Sequence, residues 1–335
     1  MANRDIVVIG ASAGGVDALQ RLCANLPADL DAAVFIAQHL SPSGRSLLPQ
    51  IITRSCPLPV LAPVDGQKIE KGHVYVAAPD LHMLLRADQI LMRRGPYENR
   101  TRPAVNALFR SAAVAYGSRV IGVVLTGLLD DGTEGLIAIK AAGGMSVVQD
   151  PAEAEWPSMP RNAVQRDHVD VIAPLSELAG HLTGLISEPS HPSIPLPEEY
   201  LIEDRIAAQD FAVMETDITT PGRPSKMSCP DCGGVLNEIE VDADVRFRCQ
   251  VGHAFTPLGL EEAQSAELER ALGVAVRTHR DRIKLFDQMR DKASSRALPR
   301  AMERWDLAKA ESEQMVGVLE QAMATLRKPV PEGTV

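Results

Sequence analysis

The sequence predicts an α/β protein with a doubly wound, mostly parallel sheet, followed by a small cysteine-containing module and a C-terminal helical hairpin. Three patterns in the 335 residues support this prediction. Short apolar runs alternate with helical patterns over residues 1–186, as in wound sheets. Cysteine and histidine pairs with metal-ligand spacing follow between residues 229 and 253. Two long segments with apolar residues at helical spacing come last.

Six runs in the first part of the chain are apolar almost throughout, as expected for strands that are buried on both faces of a parallel sheet. They are Ile6–Ile9, Ala33–Ala37, Val74–Ala77, Val120–Leu125, Ser146–Val148 and Val169–Ile172. Helical patterns lie between them, for example at Val16–Leu26, Ala104–Tyr116 and Glu134–Ala141. Two further runs, Met83–Leu85 and Ile90–Met92, flank a polar centre and predict an antiparallel hairpin appended to the sheet.

Prolines mark the end of the wound-sheet domain. The segment Ser187–Pro197 is interrupted by prolines and can be neither a helix nor a central strand. We therefore divide the chain into a sheet domain (1–186), a Pro-rich acidic linker (187–225), a cysteine-containing module (226–257) and a helical hairpin (258–328). The linker is expected to contain an amphipathic helix at Glu199–Met214. The hairpin pattern covers Leu258–Met289 and Arg296–Leu326, with a break at Asp291–Ser295.

Charge and hydropathy exclude several classes of protein. Most of the net charge of −10 lies in residues 198–244, which we interpret as a solvated acidic stretch. No basic stripe is available to neutralise phosphates, so we expect no nucleic-acid partner. No apolar run approaches the roughly 20 residues that cross a bilayer, so we expect no membrane insertion. The first residues contain no signal-peptide core, and we expect a cytoplasmic protein.

The first predicted strand ends in the turn Gly10–Gly15, which has Ser12 at its centre and precedes a helix. A dinucleotide-binding turn would need glycine at position 12 and an acid after the second strand, where Gln38 and His39 stand, so we discount NAD. G-x-S-x-G is also the pattern of a nucleophile elbow, which lifts a serine hydroxyl above the carboxyl edge of a sheet. The alternative is an ordinary tight turn in which Ser12 caps the helix.

A histidine and an acidic pair follow two other predicted strands. His39 follows the second strand, and neighbouring parallel strands lie about 5 Å apart, so Ser12 and His39 can face one another. Asp130 and Asp131 follow Val120–Leu125 in a glycine-flanked loop at the same edge. One carboxylate can orient the imidazole while the other caps the next helix, and capping alone is the alternative. The pattern predicts a Ser-His-Asp hydrolase site.

The late cysteines form two ligand pairs. Cys229 and Cys232 make a C-x2-C knuckle followed by two glycines, and Cys249 and His253 are spaced as C-x3-H. Two such pairs fit a closed tetrahedral Zn²⁺ site, so the module is predicted to be a zinc ribbon. A closed site is structural, and we expect the metal to stabilise the module without taking part in catalysis. Val235–Val241 and Val245–Arg248 are its predicted hairpin strands.

Several spaced motifs together resemble the catalytic domain of the CheB family, the chemotaxis protein-glutamate methylesterases, over residues 5–185. They are IGASAGG (Ile9–Gly15), QHLSP (Gln38–Pro42), the segment Asp65–Pro79, NRTRP (Asn99–Pro103), VVLTGLLDDGTEG (Val123–Gly135) and MPRNAV (Met159–Val164). By this resemblance the nucleophile falls on Ser12, the base on His39 and the carboxylate on Asp131, which directly precedes Gly132.

The resemblance implies hydrolysis of glutamyl methyl esters on chemoreceptor helices, with glutamine deamidation as a second reaction, and no cofactor for catalysis. Methylated chemoreceptor helices are the implied partners. The family usually carries an N-terminal receiver domain, and this sequence begins at the catalytic strand, so we expect no such regulation in cis. We expect the tail to be a regulatory arm that docks on chemotaxis signalling proteins. A stability or dimerisation role for the tail is the alternative.

Other matched positions concern the surroundings of the serine. The resemblance places Ala13 and the Leu128 backbone N–H on the oxyanion side, and Arg100 and Arg102 in the substrate-side loop. Surface salt bridges are the alternative for both arginines. Ala13 stands where the family commonly has threonine. Leu129 stands where the family's M-G-x-D-G loop has glycine, and its bulk is expected to alter that loop.

Two further functions are compatible with the sequence. One is an esterase that acts outside chemotaxis, and the other is a binding or regulatory module that has lost esterase activity. The three intact triad residues argue against the second.

Overall fold

The computed structural model of the protein describes residues 3–41, 46–209, 221–241 and 244–326. The strands are β1 (Ile6–Ala11), β2 (Ala33–Gln38), β3 (Val60–Leu61), β4 (Gln67–Lys68), β5 (Val74–Val76), β6 (His82–Arg86), β7 (Gln89–Arg93), β8 (Val120–Val124), β9 (Met145–Gln149), β10 (Val171–Ala173), β11 (Arg223–Ser228), β12 (Val235–Val241), β13 (Asp244–Cys249) and β14 (Ala254–Phe255). The helices are α1 (Gly15–Ala24), α2 (Leu48–Thr53), α3 (Val105–Tyr116), α4 (Thr133–Ala141), α5 (Ser158–Arg166), α6 (Leu175–Ser187), α7 (Glu198–Ala208), α8 (Pro257–Ser295) and α9 (Pro299–Leu326).

Seven strands form the central sheet in the order β10-β9-β8-β1-β2-β5-β3, and every neighbouring pair is parallel. The chain begins in the middle with β1, adds β2 and the edge strand β3, and then inserts β5 between them. It then crosses back to add β8, β9 and β10 on the other side of β1. The direction of winding therefore reverses between β1 and β8, and such a reversal opens a crevice at the carboxyl ends of the strands. The predicted doubly wound, mostly parallel sheet is confirmed.

Two apolar layers cover the two faces of this sheet. Along β1, Ile6 and Val8 belong to the layer that includes α3 and α4, while Val7 and Ile9 belong to the layer that includes α1 and α6. These four side chains are almost fully buried. Burial of successive residues on opposite faces explains why the strands read as continuous apolar runs, and each fully buried side chain of this size contributes about 1.5–3 kcal/mol.

The predicted elements of this region are confirmed with small shifts at their ends. All six predicted strands are present, and the last is displaced to Val171–Ala173. The predicted antiparallel hairpin is β6 and β7, to which β4 adds a third strand. The edge strand β3 was not predicted, because two residues are too few to show alternation.

Two compact units divide the chain, Met1–Leu260 and Glu261–Val335. The first holds the central sheet together with a four-stranded antiparallel sheet, β11-β12-β13-β14, in which β12 and β13 are the predicted hairpin of the cysteine-containing module. The boundaries at 187, 226 and 258 all fall inside this unit and stay predictions from the sequence. Helix α7 covers the first part of the predicted 199–214 helix, and residues 210–214 lie outside the described residues. The interpretation of 198–244 as a solvated acidic stretch is wrong for Glu203 and Asp204, which are buried because arginines pair with them.

The second unit is a helical hairpin. Its first helix continues to Ser295, so the predicted break at Asp291–Ser295 is wrong. Ala293 is buried in this stretch, its carbonyl oxygen accepts the Leu298 N–H at 3.1 Å where α8 ends, and the turn falls directly before Pro299, a residue favoured at a helix start. Phe286 and Trp305 stack between the helices with ring centroids 5.7 Å apart. Among the helices of the described segments, none is both long enough and apolar enough to cross a membrane.

Candidate active site

Ser12 lies in the sharp turn between β1 and α1, at the carboxyl edge of the central sheet. Its backbone N–H donates to the Thr126 carbonyl oxygen, 3.0 Å away, which ties the turn to the neighbouring strand β8. Its own carbonyl oxygen accepts hydrogen bonds from the Gln38 side-chain amide at 2.7 Å and from the Gly15 N–H at 2.9 Å. Gly14 has a φ of 72°, a left-handed conformation that glycine adopts without strain. The Ser12 backbone is therefore held from both sides.

His39 faces Ser12 because β1 and β2 are neighbours in register. Ala11 pairs with Gln38, so the next residue of each strand extends over the same edge. The His39 Nδ1 atom lies 3.1 Å from the Ser12 Oγ atom, within hydrogen-bond range. The expectation that the two strand ends bring this serine and this histidine together is met by the geometry.

Asp131 lies on the far side of the imidazole and is 2% exposed. Its Oδ2 atom is 2.7 Å from His39 Nε2 and accepts the Val105 N–H at 2.7 Å, while Oδ1 accepts the Asn106 N–H at 3.1 Å. The carboxylate thus caps the start of α3, where backbone N–H groups and the helix dipole favour a negative charge. Three donors fix its orientation toward His39.

The imidazole bridges Ser12 and Asp131 with its nitrogens exchanged relative to the chymotrypsin arrangement. Nε2 is at the carboxylate and Nδ1 at the serine, whereas in chymotrypsin Nδ1 meets the aspartate. With the proton on Nε2, the lone pair of Nδ1 is free to accept the Ser12 hydroxyl proton. The geometry therefore suits general-base chemistry at Nδ1.

Three polar side chains that hold Ser12 and the Asp131 loop in place were not predicted from the sequence. Asn106 Oδ1 accepts the Gly132 and Gly135 N–H groups at 2.9 and 2.8 Å and so braces the loop that carries Asp131. Gln38 holds the Ser12 carbonyl, and Thr126 donates from Oγ1 to the Ala13 carbonyl at 3.1 Å. Gln38 and Thr126 stand at strand ends, so the rule that singled out His39 could have found them.

Ala13 and Leu128 border the open side of Ser12. Gly127 lies against the serine, since a Cβ built on it would come within 2.8 Å of Ser12 Cβ. Among the described residues, the Ala13 and Leu128 backbone N–H groups donate no hydrogen bond, and the Leu128 residue is 48% exposed. Leu129 has a φ of 61°, so this leucine adopts the left-handed conformation that suits glycine.

Asp130 points away from the imidazole. It is fully buried, with Oδ2 3.3 Å from an Arg166 nitrogen and Oδ1 accepting a hydrogen bond of 2.8 Å from the Thr256 hydroxyl. Burial raises the pKa of Asp130 to about 6, and its hydrogen bond to Thr256 opposes that rise. Neither aspartate side chain caps α4, which starts after Gly132 without a side-chain cap. The alternative in which Asp130 or Asp131 caps the following helix is therefore wrong.

Arg100 and Arg102 are both engaged in ion pairs. Arg100 is half-exposed, with Nε 3.5 Å from the Asp231 carboxylate of the cysteine-containing module. The Arg102 side chain is 8% exposed, donates from Nε to Asp80 at 2.9 Å and packs over the Tyr97 ring. Both arginines thus form salt bridges, as the alternative interpretation expected, although the salt bridge of Arg102 is buried and not at the surface. Their substrate-side role stays a prediction.

The four predicted metal ligands converge. The ligand atoms of Cys229, Cys232, Cys249 and His253 all lie within 4.8 Å of one another. The His253 Nδ1 atom is 3.7 Å from Cys229 Sγ and 3.6 Å from Cys249 Sγ, and the Sγ atoms of Cys232 and Cys249 are 3.6 Å apart. Zinc bonds of about 2.3 Å to sulfur and 2.0–2.1 Å to nitrogen would separate tetrahedral ligands by roughly 3.5–3.8 Å. The donor set and spacing could hold a metal ion.

Comparison with known proteins agrees on one kind of domain. The CheB methylesterase family model matches residues 7–182. A Leptospira interrogans protein that carries a protein-glutamate methylesterase/protein-glutamine glutaminase name is 35% identical over 178 residues, which are 53% of this chain and 92% of that protein. The protein-glutamate methylesterase/protein-glutamine glutaminase 2 of Methanosarcina acetivorans is 37% identical over 193 residues. That match covers 55% of this chain and 54% of the relative, so this chain spans about half of its length.

A solved structure shows the same fold. The crystal structure of the Thermotoga maritima CheB methylesterase catalytic domain superposes with a TM-score of 0.53 at 30% sequence identity. The match covers 56% of this chain and 100% of the Thermotoga chain.

Proposed function

The chain belongs to the CheB methylesterase family, and we propose that it is a protein-glutamate methylesterase that hydrolyses glutamyl methyl esters through Ser12, His39 and Asp131. One observation carries this proposal: His39 lies 3.1 Å from the Ser12 hydroxyl by one ring nitrogen and 2.7 Å from the buried Asp131 carboxylate by the other. An activated serine at the carboxyl edge of a wound sheet is suited to acyl transfer. The names of the relatives supply the substrate class.

In the acylation step, Ser12 Oγ attacks the carbonyl carbon of the ester while His39 Nδ1 takes the hydroxyl proton. Asp131 keeps the other proton on Nε2 and stabilises the imidazolium that forms. The oxyanion is stabilised by the Ala13 and Leu128 N–H groups, each of which is worth about 3 kcal/mol in comparable sites. Collapse of the tetrahedral intermediate breaks the bond to the methoxy oxygen. His39 protonates that oxygen, and methanol leaves.

In deacylation, water takes the place of the serine hydroxyl as the attacking group. His39 Nδ1 takes a proton from water, whose oxygen attacks the acyl carbon, and the proton then returns to Ser12 Oγ as the glutamate carboxylate is released. A glutamine side chain would follow the same path with ammonia as the leaving group. Glutaminase activity is therefore proposed as the second reaction of this site.

For the cysteine-containing module we propose a structural Zn²⁺ ion held by Cys229, Cys232, Cys249 and His253. Its support is the three-sulfur, one-nitrogen donor set, whose ligand atoms all lie within 4.8 Å of one another and in three pairs are 3.6–3.7 Å apart. Four protein ligands leave no coordination position for substrate. The ion would supply folding energy to a small sheet with a limited core.

The proposed protein substrate is a methylated chemoreceptor helix. The partners of the C-terminal hairpin are proposed to be chemotaxis signalling proteins, and the cellular location is proposed to be the cytoplasm, where receptor helices of this kind are found. Arg100, which is half-exposed, is the better candidate of the two arginines for a substrate contact, because Arg102 is buried against Asp80 and Tyr97.

The test measures methanol release from methylated receptor by wild-type protein and by Ser12→Ala. We expect the variant to lose activity to background while it keeps its fold and metal content. Ser176→Ala, an exposed serine on α6, is the matched control and should retain wild-type turnover. Turnover by Ser12→Ala near the wild-type rate would exclude Ser12 as the nucleophile. Hydrolysis of short-chain esters without any action on receptor would favour an esterase outside chemotaxis.

A further inference from the structure

Thr256 lies where the cysteine-containing module meets the loop that carries Asp131. It follows the candidate ligand His253 by three positions, directly precedes α8 and is 1% exposed. Its Oγ1 atom donates a hydrogen bond of 2.8 Å to Asp130 Oδ1 and accepts the Gly259 N–H at 3.0 Å. Asn99 Oδ1 is a more distant acceptor, 3.5 Å from the same hydroxyl, so the shorter contact directs the single hydroxyl proton at Asp130, while the oxygen lone pair caps the helix.

The residues just before Thr256 hold residues 97–100, which belong to the predicted substrate-side loop. The Ala254 N–H donates to the Tyr97 carbonyl at 3.1 Å, and the Asn99 N–H donates to the Ala254 carbonyl at 2.8 Å. The Thr256 N–H then donates to Asn99 Oδ1 at 2.9 Å. Asn99 and Arg100 both have positive φ values, 48° and 58°, a conformation that side-chain-bearing residues adopt only when their surroundings impose it. The hydrogen bonds from Ala254 and Thr256 help to impose this backbone conformation on Asn99.

Buried ion pairs fix the other flank of the module. Arg248, the residue before Cys249, has a fully buried side chain that lies 3.2 Å from Glu98 and 3.0 Å from Glu203. Arg246 donates to Glu203 at 2.7 Å. Glu98 lies in the same substrate-side loop, next to Asn99. Charges buried in this way tolerate little displacement, because a misplaced partner leaves a charge unpaired. The position of Thr256 relative to the catalytic loop is therefore well determined.

We propose that Thr256 is a positioning residue of the esterase site, which holds Asp130 and thereby keeps Asp131 in hydrogen-bond range of His39. This inference rests on the proposed triad. Asp130 and Asp131 are consecutive, and their carboxylates point to opposite sides of the loop, toward Thr256 and toward His39. Loss of one anchor lets the loop move, and a displacement of about 1 Å in such a site can cost about a hundredfold in rate. The cysteine-containing module then helps to hold the geometry of the catalytic centre, while its metal stays structural.

The test uses the full, metal-loaded chain and a fluorophosphonate probe. The Ser12 oxygen displaces fluoride from phosphorus, with the hydroxyl proton passing to His39, so the labelling rate reports serine activation without any receptor. Thr256→Val removes the hydroxyl at nearly constant volume, and Thr256→Ser restores it. The matched control is Thr278→Val, at an exposed threonine of α8 whose hydroxyl bonds only its own helix. Zinc content and melting temperature are measured for every variant.

We expect Thr256→Val to slow labelling of the folded, metal-loaded protein by about tenfold to a hundredfold, as for other residues that orient a reactive group. Thr256→Ser should stay within about threefold of wild type, and Thr278→Val should match it. Labelling of Thr256→Val at the wild-type rate would overturn the proposal. If wild type is labelled at Ser12 but releases no methanol from methylated receptor, the proposed substrate is wrong. The labelling rates of the Thr256 variants then still decide the positioning role.

A second measurement serves if Thr256→Val does not fold. Wild-type protein is compared with and without a chelator by hydrogen exchange. Because the proposal ties the Asp130 loop to the module, metal removal should speed exchange in residues 127–132 together with residues 245–256. Faster exchange confined to the module, with an unchanged loop, would refute the coupling.

Discussion

Leu129 offers a direct test of how the aspartate loop is built. Its φ of 61° puts a leucine in left-handed backbone, immediately before the pair Asp130 and Asp131. For a residue with a Cβ, this conformation raises the free energy of the folded state by about 1–2 kcal/mol, whereas glycine adopts it without that cost. We propose to compare Leu129→Ala with Leu129→Gly. Both variants lose the leucine side chain, so the difference between them isolates the backbone.

The expected difference follows from two opposing effects. Glycine relieves the roughly 1–2 kcal/mol of left-handed strain but loses about 0.5–1 kcal/mol through the greater freedom of the unfolded chain. The glycine variant should therefore be more stable than the alanine variant by about 0.5–1 kcal/mol, or about 2 °C in melting temperature for a unit of this size. At an ordinary helical position the sign is reversed, and glycine costs about 1 kcal/mol relative to alanine.

The assay is urea unfolding of the four full-length, metal-loaded variants, in which His181→Ala and His181→Gly supply the helical control. His181 is exposed in the middle of α6 and follows ordinary helix propensity. We expect glycine to be the more stable substitution at 129 and the less stable one at 181. If glycine destabilises position 129 as much as position 181, the left-handed backbone carries no strain and the reasoning fails.

Three further predictions concern the catalytic carboxylate, the metal and a buried acid. Asp131→Asn should lower the rate of methanol release by about 10⁴-fold, as in the chymotrypsin-type triad, because an amide cannot accept hydrogen bonds from all three N–H donors. A loss below tenfold would contradict the assigned role. Elemental analysis should find one zinc per chain, and chelation should lower the melting temperature; an unchanged melting curve would refute a structural metal. Burial raises the pKa of Glu134 to about 8, so the folded protein keeps a proton that the unfolded chain releases near pH 4.5. The stability contributed by that proton is present below pH 4.5 and is lost as the pH rises to 8. Glu134→Gln should flatten this fall in urea unfolding series between pH 5 and pH 8.5, and a parallel decline in both proteins would count against it.

Much of the fold and of the candidate site could be predicted because the relevant information is local. The strands of the central sheet are apolar on both faces, so short runs of β-branched residues reveal them without knowledge of their partners. Ser12 and His39 each follow a strand directly, and Asp131 lies in the loop after β8; parallel strands present their carboxyl ends at one edge. The metal ligands are two close pairs, whose spacing alone indicates a tetrahedral site.

Tertiary structure decided what depends on residues far apart in the chain. The sequence contained Pro299 as a local helix-start signal, but only the structure shows that α8 continues through the predicted break at Asp291–Ser295, where Ala293 is buried. The two neighbouring aspartates are alike in sequence, and only packing turns Asp131 toward His39 and Asp130 toward Thr256. No spacing rule connects residue 130 with residue 256, because the geometry of that contact is set by how two sheets and their buried charges pack. The sequence by itself determined which chemical groups stand at the sheet edge; the packing determined which atoms of those groups meet.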